Sequence, residues 1–304
     1  MPTGRPEAID RLLREVGPVW QHDIRSAGDR VKAAYLPLLA VAPKAGVDVV
    51  RDLRYGSHPR QVLDVYRPHG ARRAPVVVFV HGGAFVRGSK DINPQMYGNV
   101  LTWFARHGCL AVNIEYRLAP EAPHPQGALD VAGACDWVAQ HAAEFGGNPD
   151  AIGLVGHSAG GTHAATYAYD PALPYRGRHL RGLVLVSARL RADVLPENPN
   201  AAGVRAYYGD DAALYESRSP MVHADASALP VFIVNAQYEN PLLDVYATEL
   251  AYRIATQRRV APRHMTVADH NHVSIMAHFN SGEQLLGEQI LDFLAAARSA
   301  TSGA

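Results

Sequence analysis

The sequence predicts an α/β fold: a mostly parallel, eight-stranded sheet with helices on both faces and a small cap. Two observations predict the sheet. From about residue 47, short β-branched runs alternate with longer stretches whose apolar residues recur at spacings of three and four. Several of the later runs are apolar on both faces, as strands inside a parallel sheet are. A third observation, one connection far longer than the others, predicts the cap.

In chain order, residues 1–45 precede the sheet and carry an amphipathic stretch through Ile9, Leu12, Leu13 and Val16. Strands are expected at 47–55, 61–68, 75–81, 109–116, 151–157, 180–187, 229–236 and 262–268. Helices are expected between them. "NPQMYGNVLTWFARHG" (93–108) opens on an Asn–Pro start signal and closes on glycine. "GALDVAGACDWVAQHAAEFGG" (127–147) also ends at glycines, and 244–257 and 282–297 show helical spacing. Such strand–helix units imply right-handed crossovers. Residues 189–228 separate two strands by about forty positions, and ligands of open α/β sheets bind at strand ends, so this insertion reads as a cap-like element.

Composition narrows the function. Lys plus Arg and Asp plus Glu both number 29, so no field of one sign recruits nucleic acid or an anionic membrane. No window approaches 18 apolar residues, and the charged N-terminus does not resemble a signal peptide. Cys109 and Cys135 are the only cysteines and both sit in apolar contexts, which suggests buried thiols in a reducing cytoplasm. No metal-ligand spacing is visible, and no cofactor is expected.

The stretch "GLVGHSAGG" (153–161) carries the chemistry. A G-x-S-x-G match alone is weak, but here an apolar strand precedes it and a helix pattern follows. Ser158 then stands on a tight strand-to-helix turn, with Gly156 and Gly160 small because neighbouring backbone crowds it. The helix N-terminus directs the Ala159 amide toward charge developing on a bound carbonyl oxygen. A second stretch, "VVVFVHGGAF", places His81, Gly82, Gly83 and Ala84 just after another strand. The glycine pair lets the backbone aim the Gly83 and Ala84 amides outward as further oxyanion donors, and His81 is expected to orient the loop by bonding local backbone.

"HGGAF", "EYRLAPE" (115–121) and "GHSAGG", in this order and spacing, resemble the α/β-hydrolase-fold esterases and lipases of the hormone-sensitive-lipase-like group. The likeness covers roughly residues 60–300. It implies an eight-stranded sheet, a serine nucleophile, ester hydrolysis, and a cap built from the N-terminus and the segment after strand six. It therefore implies an N-terminal cap segment at 1–45 and a catalytic domain at 46–304, with the insertion at 189–228.

A serine hydroxyl needs a base, and the base an orienting acid. In this fold both follow the serine along the chain. The group usually carries aspartate directly before Pro-Leu, where this chain has Asn240, which cannot ionise; Glu239 is the expected acid and Asp244 the alternative. His272, in "NHVS", best matches the group's histidine; His270 is the alternative, and His278 is expected to be structural. Arg117 and Glu121 are expected to pair. Tyr207, Tyr208 and Tyr215 are expected either to line a substrate pocket or simply to pack the cap. The expected substrate is a small, short-chain ester, and a homodimer stays open. An N-formylkynurenine-type formamidase and a non-catalytic small-molecule receptor are the competing readings.

Overall fold

The computed structural model describes residues 4–174 and 176–301; residues 1–3, Tyr175 and 302–304, which include the outer ends of both expected segments, lie outside them. Eight strands form one sheet: β1 (Val47–Arg54), β2 (Val62–Pro68), β3 (Ala74–Val80), β4 (Leu110–Ile114), β5 (Gly147–His157), β6 (Leu180–Val186), β7 (Val231–Tyr238) and β8 (Arg263–Asn271). Their spatial order is β1-β2-β4-β3-β5-β6-β7-β8. β2 runs antiparallel to both neighbours, and every pairing from β4 to β8 is parallel. All eight strands fall where the sequence places them.

The pattern of each strand explains its position. β4 is buried at all five residues, as a central strand must be when helices cover both faces. β1 lies at the edge, where Asp48, Arg51 and Asp52 discourage pairing with another sheet. Along β3, Val76, Val78 and Val80 face one core while Val77 and Phe79 face the other, the period of two that a pleated strand dictates.

The first core is closed by α4 (Gln126–His141), α5 (Ala159–Tyr169) and α8 (Leu243–Arg258), and the second by α3 (Gly98–Arg106) and α10 (Leu285–Thr301). Cys109 and Cys135 are buried free thiols in these cores; burial pushes Cys109 up to about 12. A third cluster gathers α1 (Glu7–Val16) and α2 (Ile24–Val41) around Leu13, Trp20, Val31 and Tyr35, against Met96 and Ala277. The 189–228 segment holds α6 (Ala201–Tyr208) and α7 (Tyr215–Arg218); α9 (Ser274–Ala277) follows β8. No helix among the described residues is long and apolar enough to cross a membrane.

Two local expectations need correction. The Asn93–Pro94 signal does not start α3, because the Asn93 side chain accepts from the Gln95 and Met96 amides in a turn of its own, and the helix waits until Gly98. Arg117 does not pair with Glu121. Its guanidinium reaches Asp130 on α4 at 2.6 Å, while Glu121 is carried outward to His58 at 3.2 Å.

Candidate active site

β5 ends at His157 and α5 begins at Ala159, leaving Ser158 alone in the connection at φ 55°, ψ −122°. A non-glycine residue there carries strain of about 1–3 kcal/mol and persists only where the surroundings over-determine it. They do so here. Ser158 N donates to Val186 O on β6 at 3.0 Å. A Cβ at Gly160 would lie 2.2 Å from Val80 O, and one at Gly156 would lie 2.6 Å from Gly160 O. Only glycine lets α5 press this closely on the end of β3.

The loop after β3 meets the serine from the other side. Gly83 has φ 152°, and a Cβ on it would collide with Arg87 O at 1.8 Å; Ala84 and Phe85 follow at φ 49° and 71°. Arg87 N donates to Gly83 O at 3.0 Å and closes the turn. His81 is wholly buried, donates from Nδ1 to Gly82 O at 2.7 Å, and meets Glu115 Oε1 through Nε2 at 3.0 Å. Burial alone would raise Glu115, but the His81 hydrogen bond, the Lys90 amide and the Arg60 charge together hold its carboxyl below the usual range. This buried anion pins the ring, and the ring pins the loop.

His272 follows β8. Its Nε2 lies 3.1 Å from Ser158 Oγ and its Nδ1 lies 2.8 Å from Glu239 Oε2, while its backbone N donates to Tyr238 O. Glu239 is 2% exposed and its acceptors are filled. Oε1 accepts from the Ser187 hydroxyl and, at 2.9 Å, from Ala236 N; Oε2 accepts from Asn240 N at 3.1 Å besides the imidazole. Four polar groups thus surround this one carboxylate.

Asn240 occupies the place where the group usually has its acid. Its side-chain oxygen turns away from the imidazole and accepts from Trp20 Nε1 at 2.9 Å, and Gln21 Nε2 donates to Glu239 O at 3.0 Å. The α1–α2 connection thus braces the loop that carries Glu239.

The alternatives stand elsewhere. Asp244 is exposed on the first turn of α8 and bonds the Val245 amide. His270 belongs to a second buried network with Ser274 (3.0 Å), Glu283 (3.2 Å) and Arg5 (3.0 Å). His278 is buried and bonds Ser274 O. Phe85 stacks on Tyr207 with ring centroids 4.8 Å apart, and together with Tyr208, Tyr215, Val204 and Ala159 they form an apolar cluster beside the serine.

Several neighbours escaped sequence reasoning. Ser187, Trp20, Gln21 and Tyr97 all lie outside any motif; only the serine at the end of "LVLVS", on the strand beside the acid, offered a local hint. Among the described residues no group of three or more His, Cys, Asp or Glu side chains is placed to hold a metal ion.

Comparison with known proteins places this arrangement in context. A family model described as BD-FAE matches residues 63–173. Esterase LipQ of Mycobacterium tuberculosis is 29% identical over 267 residues, covering 80% of this chain and 61% of that protein. Esterase LipC of the same organism is 42% identical over 113 residues, which is 36% of this chain and 27% of LipC. The chain thus spans less than two thirds of the length of these relatives. Esterase B from Lactobacillus rhamnosis superposes with a TM-score of 0.75 at 19% identity over 98% of both chains. A Pyrobaculum calidifontis esterase superposes at 0.70 and 23% identity, over 97% of this chain and 99% of that one. The fold is thus the α/β-hydrolase fold of these esterases, and in sequence the chain is similar to proteins named esterases.

Proposed function

We propose that the protein hydrolyses carboxylic esters of small acyl groups through an acyl-enzyme on Ser158. The observation that carries this reading is the unbroken line Ser158 Oγ, His272 Nε2, His272 Nδ1, Glu239 Oε2, with separations of 3.1 and 2.8 Å. A neutral imidazole protonated at Nδ1 toward Glu239 leaves Nε2 free to accept the serine proton as Oγ attacks the ester carbonyl. The carbonyl oxygen becomes an anion, and the amides of Gly83, Ala84 and Ala159 receive it. Fixed donors of this kind need no reorganisation as charge develops, and each is worth about 10²–10³ in turnover. The imidazolium, stabilised by buried Glu239, then protonates the departing alcohol. Water, deprotonated by the same Nε2, attacks the acyl carbonyl and releases the carboxylic acid. None of these steps calls on a cofactor.

The strained Ser158 supports the role, because costly backbone conformations of this kind cluster where a side chain must be presented to a ligand. The names of the relatives favour esters over formamides. The aromatic cluster of Phe85, Tyr207 and Tyr208 beside Ala159 favours short acyl chains. Residues 1–45 and 189–228 act as the cap in this reading, since one braces the acid loop and the other packs on Phe85.

The test is a panel of p-nitrophenyl acetate, butyrate and octanoate together with N-formylkynurenine. Hydrolysis fastest on the two short esters is expected, as is fluorophosphonate labelling that disappears in Ser158→Ala. A kcat/KM higher on N-formylkynurenine would replace the ester reading, and undiminished labelling of Ser158→Ala would end it.

A further inference from the structure

The three loops that carry the chemistry leave different strands: residues 81–84 after β3, Ser158 after β5 and His272 after β8. A buried hydrogen-bond line that uses neither the serine nor the acid joins the last two and packs against the first. His157, the residue before the nucleophile, has Nε2 3.1 Å from the backbone oxygen of His272 and Nδ1 3.1 Å from the Tyr97 hydroxyl. Tyr97 leads into α3. Gly82 itself is crowded by the elbow, for a Cβ there would sit 3.0 Å from Ser158 Cβ and 3.1 Å from His157 Nδ1.

The direction of each bond follows from the groups at the two ends. A carbonyl only accepts, so His157 Nε2 carries the proton and donates to His272 O. Complete burial drives the ring well below its ordinary range and keeps it neutral, so Nδ1 holds a lone pair. Tyr97 must then donate to Nδ1. Each member is satisfied in only one orientation, and a buried partner left unsatisfied costs about 1–3 kcal/mol.

We infer that Tyr97 and His157 are positioning residues that lock the oxyanion loop, the nucleophile turn and the backbone of His272 into one register. Neither touches substrate. They act through the packing of His157 against Gly82 at one end and through the His272 carbonyl at the other, and hence on the line-up of Nε2 with Oγ. Displacement of a reacting group by about 1 Å can cost 10²-fold, so a small slip here is felt in turnover. The inference rests on the reading of Ser158 and His272 as nucleophile and base.

The experiment compares Tyr97→Phe, His157→Leu and His157→Gln with the parent protein, using p-nitrophenyl butyrate kinetics, thermal melting and long-range 1H–15N spectra of the histidine rings. Tyr97→Phe and His157→Leu are expected to lower kcat by tenfold or more with KM within about twofold. His157→Gln, whose amide can still donate to His272 O, is expected to recover most of that loss. The spectra should show the parent His157 neutral and protonated at Nε2 from pH 5 to 8, with that signature disturbed in Tyr97→Phe. A Tyr97→Phe variant with undiminished kcat, or a parent His157 protonated at Nδ1, overturns the relay. A Gln variant no better than the Leu variant does so too. If the parent turned over no ester, the functional reading would fall, while the spectra would still decide the relay.

Discussion

Replacing Glu239 with glutamine should cost about four orders of magnitude in kcat, and the structure shows how. Both oxygens accept from a fixed backbone amide, Oε1 from Ala236 at 2.9 Å and Oε2 from Asn240 at 3.1 Å, and the Ser187 hydroxyl closes on Oε1 as well. The NH₂ of a glutamine meets a donor at either end, and the more crowded Oε1 end favours the carbonyl there, with the NH₂ where Oε2 now meets His272 Nδ1. Two donors cannot face each other across 2.8 Å, so the imidazole is driven to the tautomer with its proton on Nε2. That proton points at Ser158 and silences the base. Amidation of the acid in a serine-protease triad lowers kcat by about 10⁴, or about 5 kcal/mol of transition-state stabilisation. Substrate binding does not involve this carboxylate, so KM should hold. The assay is steady-state hydrolysis of p-nitrophenyl butyrate by Glu239→Gln and by Asp244→Asn, whose exposed carboxylate lies on α8 and should be dispensable. If the Gln variant keeps more than a tenth of the parent kcat, or if the Asn variant is the one that dies, the assignment of the acid is refuted.

Three further outcomes follow from the same geometry. Gly160→Ala would thrust a Cβ to 2.2 Å from Val80 O, so it should destabilise the fold by several kcal/mol, or about 3 and more; an unchanged melting temperature would contradict the crowding. Trp20→Phe removes the 2.9 Å bond to buried Asn240 and should lower stability by about 1–2 kcal/mol in urea titrations, with kcat falling as the Glu239 loop loosens; unchanged stability and kcat would contradict the brace. Burial depresses His163 to about 3, His278 to about 3 and His124 to about 4, so each stays neutral in the folded chain but charges near 6.5 once unfolded. Their contribution to stability is whole above pH 6.5 and is lost as pH falls through 4 toward 3. Near pH 5 the three together should give a slope of about 4 kcal/mol per pH unit. His163→Phe should flatten it by about a third, and an unaltered slope would count against the burial argument.

The strands were legible because each satisfies a condition that is local in sequence. β4, β5 and β6 are buried on both faces and read as continuous apolar runs, while β1 shows its edge through charge. The tight turn at Ser158 was legible too, since glycines at 156 and 160 record a backbone approach that no side chain survives. What stayed hidden depends on partners far along the chain. Ser187 reaches Glu239 across 52 residues, Tyr97 reaches His157 across 60 and Trp20 reaches Asn240 across 220. No periodicity encodes such pairs. The Arg117 error has the same origin, because proximity suggested Glu121 while the helix behind it offered buried Asp130.

The bond from Trp20 to Asn240 has a mechanical consequence. If the first two helices were to swing aside to admit a bulky guest, the indole and the Gln21 amide would leave with them, and the carboxylate beneath would lose its footing. Entry and readiness would then exclude one another: a gaping doorway would find the machinery slack, and only the shut form would be cocked.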